Sequence, residues 1–298
     1  MPSVEMQMAP WLLPSMRRRY RGSRAPIADL RVFDAREAPP SLAAAGLVQS
    51  TEVAGVPGAW IAPGNRPAGT IVFLHGGAYV FGPGPGHWDW LAAVCEATGM
   101  AGLMLLYERA PEARYPAALE QVVAACATIE GDWVLAGDSA GGGLALAAAM
   151  RMRDAGAPLP RALVLSSPWL DLTLEHPQML AGQHLDVMLG LDRLRDYAAE
   201  YAGAHDRRDP GISPLFGDPA GLPPMLITAG GAELMLWECR DWTQRCDAAG
   251  TACQLIEVEG AIHDFAMART LFPEARTVLP QMAGFMRGDE ARNGERPA

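Results

Sequence analysis

The sequence predicts an α/β fold, a mostly parallel sheet with helices on both faces. Short apolar or β-branched runs alternate with helical stretches along most of the chain. One of them, Thr70 to Leu74, is apolar without interruption after its first residue, the mark of a strand covered on both faces. A third observation is the sequence Gly137-Asp138-Ser139-Ala140-Gly141-Gly142. It stands between the apolar run Trp133 to Ala136 and an alanine-rich stretch from Gly143 to Arg153, so it reads as a tight strand-to-helix turn.

The elements follow in order. Residues 1–50 read as helical and irregular. Thr51 to Ala62 alternates like an early strand or hairpin and ends at Pro63-Gly64-Asn65. After Thr70 to Leu74 come a helix over Trp88 to Gly99, a strand over Met100 to Tyr107 and a helix over Ala117 to Ile129. The short strand before the turn, Trp133 to Ala136, precedes the alanine-rich helix, and Ala162 to Ser166 is the next strand. Met225 to Ala229 and Cys253 to Val258 are two more, separated by a helix over Leu234 to Ala249. Phe272 to Arg287 closes the domain as a helix. Between Asp171 and Pro214 the chain is polar and helical with no strand signal. This insertion, about 171–214, and residues 1–50 are the candidate cap over a catalytic domain spanning 51–287. Residues 288–298 form a polar tail expected to be disordered.

Composition narrows the chemistry. The chain has 298 residues, half of them hydrophobic, which suits one large domain with an insertion. The net charge is -10, and the one basic cluster, Arg17, Arg18, Arg19, Arg21 and Arg24, is short, so no nucleic-acid partner is expected. There is no lysine: all 24 basic residues are arginine. Schiff-base chemistry, a Ser–Lys dyad and a Walker A loop are therefore excluded. Five cysteines without Cys-x-x-Cys spacing argue against a disulfide framework and a zinc site, so no metal or cofactor is expected. No apolar run is long enough to cross a bilayer, and Arg17 to Arg19 follow the apolar start instead of preceding it, opposite to a secretory signal. The expectation is a cytoplasmic protein without a membrane partner.

The Gly-x-Ser-x-Gly turn is a nucleophile elbow, which lifts a serine hydroxyl clear of the sheet above a helix N-terminus. An activated serine needs a base, and the base needs an orienting acid. On a sheet of this kind they follow in the chain order Ser, acid, His. Of six histidines, His75 and His87 precede Ser139, and His176, His184 and His205 lie in the inserted segment. His263, after the last strand, remains as the base. The acid should follow the preceding strand, which selects Glu233 in Gly230-Gly231-Ala232-Glu233. Glu238 and Asp241 fall on the following helix and read as solvated, and Asp264 is too close to His263 to orient its ring easily. Asp138, inside the turn, is expected to point away from the nucleophile. For the oxyanion, His75-Gly76-Gly77-Ala78 follows a strand directly and offers backbone N–H groups, with the N–H of Ala140 completing the hole.

These motifs together resemble the hormone-sensitive-lipase-like carboxylesterases, the bacterial family IV branch of the α/β-hydrolase fold. The likeness runs from about residue 70 to 285 and rests on His75-Gly76-Gly77-Ala78-Tyr79, Tyr107-Glu108-Arg109-Ala110-Pro111-Glu112, the serine turn, Ser167-Pro168-Trp169-Leu170-Asp171-Leu172, Asp209-Pro210 with Ser213-Pro214-Leu215, and Ile262-His263-Asp264-Phe265. The resemblance implies an eight-stranded sheet, a cap built from the N-terminal region and the insertion, hydrolysis of short-chain acyl esters, no cofactor, and a homodimer. It points to the N–H groups of Gly77 and Ala78 as the main oxyanion donors. The chain departs from the family at three places. Ala78 replaces a third glycine and can serve if its φ is negative, Glu233-Leu234-Met235 replaces Asp-Pro-Leu, and Glu108 stands where arginine is commoner. The substrate pocket is expected to include Tyr79, Trp88, Asp138 and Met188, with Met6, Met8, Trp11, Met179, Leu185 and Leu189 as further cap candidates. A lactone, carbamate or amide substrate, acyl transfer, or a non-catalytic binding role stay open on the same residues.

Overall fold

The computed structural model describes residues 1–22, 25–61 and 68–289. Arg24, the Pro63-Gly64-Asn65 turn and all but the start of the polar tail lie outside them. The sheet has eight strands: β1 (Val48–Val53), β2 (Val56–Ile61), β3 (Thr70–Leu74), β4 (Ala101–Leu105), β5 (Trp133–Asp138), β6 (Ala162–Ser166), β7 (Met225–Gly230) and β8 (Cys253–Val258). Their order is β1-β2-β4-β3-β5-β6-β7-β8. The strands from β3 to β8 are parallel to one another, and β2 runs antiparallel to both β1 and β4. The alternating segment near residue 51 is a hairpin that starts earlier than expected, at Val48. Its two-residue turn, Ala54-Gly55, takes left-handed φ values of 50° and 80°, the twist that suits a hairpin.

Period-two geometry explains how continuous apolar runs feed two cores. Val72, Leu74, Leu103, Leu105 and Leu135 face one side of the sheet. There they pack under α2 (Ala117–Cys126), α3 (Ser139–Asp154) and α6 (Leu236–Ala249). Ile71, Phe73, Met104, Val134 and Ala136 face the other, under α1 (Pro85–Thr98) and α7 (Pro273–Arg287). Strand β5 is buried at every residue, whereas the edge strand β1 is buried at none.

The insertion carries α4 (Pro177–Gly182) and α5 (Leu191–Ala202). Among the described residues, those before β1 form only short helical turns, such as Val4–Gln7, Ala9–Leu12 and Ile27–Leu30. The two segments are tied to each other. The Gly190 N–H donates to the Tyr20 carbonyl at 2.9 Å, the Tyr197 hydroxyl donates to the Arg19 carbonyl at 2.6 Å, and the Arg21 guanidinium donates to the Leu189 carbonyl at 2.7 Å. No helix among the described residues is long and apolar enough to cross a membrane.

The turn from β5 into α3 positions the serine. Ser139 has φ 49°, left-handed backbone that costs an L-residue about 1–2 kcal/mol. A Cβ on Gly137 would lie 2.5 Å from the Gly141 carbonyl oxygen, and one on Gly141 only 2.1 Å from the Leu74 carbonyl oxygen of β3. Both contacts are with backbone, so no side-chain rearrangement relieves them. Gly141→Ala must push α3 away from the sheet. It should lower stability by about 3 kcal/mol or more, read as the urea midpoint; an unchanged midpoint would show that the close approach is not needed.

Candidate active site

The parallel topology brings the C-terminal ends of β5, β7 and β8 to one rim. Ser139 leaves β5, Glu233 follows β7 and His263 follows β8. The His263 ring spans them: its Nε2 lies 2.9 Å from Ser139 Oγ, and its Nδ1 lies 2.7 Å from Glu233 Oε2. All three residues are buried. The other Glu233 oxygen accepts the Gly230 N–H at 2.9 Å, which fixes the carboxylate within its own loop. A carboxylate can only accept, so the neutral imidazole carries its proton on Nδ1 and presents the Nε2 lone pair to the serine.

The oxyanion loop differs in part from expectation. The Gly76 N–H donates to Asp138 Oδ1 at 2.9 Å, so it is not free to bind a substrate oxygen. The N–H groups of Gly77 and Ala78 have no acceptor among the described residues, and both residues line the cavity beside Ser139. Ala140 is the second residue of α3, where the first N–H groups lack an intrahelical acceptor. Ala78 has φ +52°, so the negative value set as the condition for an alanine there is not met, yet its N–H is left without an acceptor among the described residues and the residue still lines the cavity. The Val80 and Phe81 N–H groups, both donating to the Gly77 carbonyl at 3.0 and 2.8 Å, hold this turn closed.

Asp138 does point away from the nucleophile, and it links two further elements. Its second oxygen lies 3.0 Å from Nε2 of His87 on α1. The Gly84 N–H donates to His87 Nδ1 at 2.8 Å, so the proton sits on Nε2 and is donated to Asp138. Burial opposes a charge on His87, but the Asp138 carboxylate outweighs it and raises the pKa. His75, by contrast, is stacked on Tyr107 with ring centroids 4.5 Å apart, and burial pushes its pKa well below the usual value.

Asp264 also departs from expectation. Its left-handed backbone, φ 55°, turns the side chain back to the imidazole, and Oδ2 lies 3.1 Å from His263 Nε2. It therefore addresses the reactive nitrogen, not the one Glu233 orients. Burial lifts Asp264 to about 6, against the attraction of His263. Burial lowers the pKa of His263, but Asp264 and Glu233 together hold it well above the usual value. Glu238, expected in solvent, is fully buried and accepts the N–H groups of Leu170 and Asp171 at 3.1 and 2.8 Å. Asp241 is half-exposed, 3.0 Å from His176. Asp186, which sequence reasoning missed, is buried in the insertion and accepts N–H groups from Met188, Leu189 and Leu234. It ties the insertion to the loop that carries Glu233.

A cavity of about 490 Å³ opens over Ser139 and His263. Its apolar wall includes Tyr20 and Phe33 from the N-terminal segment, Leu189 and Leu194 from the insertion, and Met267 and Leu271 beyond β8. Of the expected pocket residues Asp138 borders it, but Tyr79, Trp88 and Met188 do not. Their large side chains are consumed by packing. Tyr79 stacks on Tyr201 at 3.8 Å, Trp88 is buried with its indole N–H on the Ala35 carbonyl, and Met188 is buried in the core beneath the insertion. Among the other cap candidates only Leu189 lines the cavity. Met6 and Met179 are buried elsewhere, while Met8, Trp11 and Leu185 are exposed. Among the described residues no group of three or more His, Cys, Asp or Glu side chains is arranged to hold a metal ion.

Comparison with known proteins agrees with this architecture. The model of an α/β-hydrolase fold family matches residues 71–267. The chain is 37% identical over 234 residues to an acetyl-hydrolase of Streptomyces hygroscopicus, covering 76% of this chain and 78% of the relative. It is 30% identical over 245 residues to an esterase of Acinetobacter venetianus, covering 80% and 81%. The crystal structure of an esterase from the bacterial hormone-sensitive lipase family superposes with a TM-score of 0.85 at 31% identity, over 97% of this chain and 99% of that one. The chain belongs to the α/β-hydrolase fold family, in its hormone-sensitive-lipase-like branch.

Proposed function

We propose that this chain is a carboxylic ester hydrolase that works through a Ser139–His263–Glu233 triad on short-chain acyl esters. The observation that carries the reading is the imidazole of His263 hydrogen-bonded on both sides, to Ser139 Oγ and to Glu233. Ser139 attacks the ester carbonyl as His263 Nε2 takes the hydroxyl proton, and Glu233 stabilises the imidazolium that forms. The tetrahedral oxyanion is received by the N–H groups of Gly77, Ala78 and Ala140, a set typically worth a few kcal/mol per donor. Asp138 supports this indirectly, because it occupies Gly76 and leaves the next two N–H groups to the substrate. His263 then protonates the leaving alcohol. A water, deprotonated by the same base, cleaves the acyl-enzyme.

The N-terminal segment and the insertion act as the cap. Both contribute to the cavity wall and they are hydrogen-bonded to each other. A volume of about 490 Å³ lies toward the lower end for small-molecule sites, which favours compact acyl groups. The names of relatives as acetyl-hydrolase and esterase support the same substrate class.

Two outcomes are expected. Ser139→Ala should lower hydrolysis of p-nitrophenyl butyrate by about 10³-fold or more; a rate within tenfold of the parent would rule the serine out as nucleophile. In a series of p-nitrophenyl esters, kcat/KM should peak at acetyl to butyryl and fall steadily beyond. A maximum at decanoyl or longer would defeat the short-acyl assignment.

A further inference from the structure

His263 is flanked by more negative charge than a triad requires. Glu233 occupies Nδ1 at 2.7 Å, and Asp264 stands 3.1 Å from Nε2, beside Ser139 Oγ at 2.9 Å. With one proton on Nδ1, the Nε2 lone pair would face the lone pairs of Asp264 across that gap. A second proton on Nε2 turns this repulsion into a close attraction between opposite charges. We propose that Asp264 is a second carboxylate on the catalytic imidazole, holding Nε2 protonated in the resting site and moving the onset of activity to more alkaline pH. The inference rests on the triad reading above.

The surroundings leave Asp264 free to act in this way. The groups around the imidazole and Asp264 are Glu233 after β7, Asp186 from the insertion, Ser139 and Asp138 at the β5 turn, His87 on α1 and Tyr20 from the N-terminal segment. Arg19 and His87 also border the cavity, and both have partners: Arg19 pairs with Asp34 at 2.9 Å and His87 meets Asp138 at 3.0 Å. The outer oxygen of Asp264 is buried and has no hydrogen-bond partner among the described residues. The carboxylate is therefore directed at His263 alone. Burial, the close Asp264 and the close Glu233 act on the imidazole together, and the carboxylates prevail.

The sign of the effect follows. His263 must lose its Nε2 proton before it can accept one from Ser139, so activity rises as pH rises through the imidazole titration. A neighbouring carboxylate moves that rise upward. Once attack begins, the proton taken from Ser139 returns to Nε2, and Asp264 then stabilises the imidazolium beside the tetrahedral intermediate. Asp264 thus slows activation at low pH and assists the step itself at high pH.

The test is Asp264→Asn, nearly isosteric and built on a residue type that accepts left-handed backbone. The acid limb of kcat/KM for p-nitrophenyl butyrate should move about one pH unit lower. On the limb the variant should then be about tenfold faster relative to its own plateau. The pH dependence of inactivation by diethyl p-nitrophenyl phosphate, which needs only an activated serine, should move equally. A limb that stays in place in a folded variant overturns the proposal. Histidine NMR on the unmodified protein, with the His263 signal assigned by loss in His263→Gln, provides a check that does not depend on the variant folding. His263 should titrate above the ordinary histidine range, and titration at or below about 6.5 overturns the proposal as well. Absence of a phosphoryl adduct on Ser139 would bring down the triad reading too, whereas an adduct with an unmoved limb brings down this inference alone.

Discussion

The close approach of α3 to the sheet is the constraint on which the site depends. Gly141 sits so near the Leu74 carbonyl that a single methyl would overlap it, and Gly137 is blocked in the same way by Gly141. Because the helix begins against β3, the serine at its start must adopt left-handed backbone. That conformation raises the hydroxyl above the ends of β5 and β7, where a residue following β8 can reach it. It also sets the helix N-terminus directly beneath the reacting centre, so the first N–H groups and the helix dipole favour an oxyanion. The strained φ is maintained because the surrounding core over-determines it: every residue of β5 and the first turns of α3 are buried.

A second level of organisation comes from carboxylates that meet backbone N–H groups. Asp138 takes Gly76, Glu233 takes Gly230, Glu238 takes Leu170 and Asp171, and Asp186 takes Met188, Leu189 and Leu234. Each joins a loop at the sheet's C-terminal rim to another element or to itself. Hydrogen bonds of this type contribute about 1.5–3 kcal/mol each, more than neutral ones, and a buried acid without them would be costly. The chain is acidic and lacks lysine altogether, and its buried acids are satisfied largely by amides. Amide partners suit a catalytic rim, since they fix geometry without adding mobile cations.

Much of this was legible in the sequence. The parallel strands are covered on both faces, so their runs are continuous, and the runs mark β3, β6 and β8 to the residue. The order serine, acid, histidine, each after its own strand, was enough to select the three side chains that the structure brings into contact. The departures have separate physical causes. His87 meets Asp138 across 51 positions, and Asp186 meets Leu234 across 48, contacts that no local pattern encodes. Asp264 and Ala78 depart from expectation because both have positive φ, which their residue types do not signal. Tyr79, Trp88 and Met188 were assigned to the pocket by size, but size is also what draws a side chain into the core.

The oxyanion loop and the base are served by two different carboxylates of the same cavity. Asp138 and Asp264 both border the cavity with Ser139, and the Asp138 carboxylate disfavours a charge on Asp264. Asp138 is anchored by two donors, the Gly76 N–H and the His87 ring. Asp264 has its own N–H on Ser167 but no donor on its outer oxygen, so its charge depends on His263. The site therefore holds one carboxylate that shapes the backbone and one that answers to the protonation of the base. Geometry is kept constant by the first while reactivity is tuned by the second, and the two tasks can be separated because they fall on different residues.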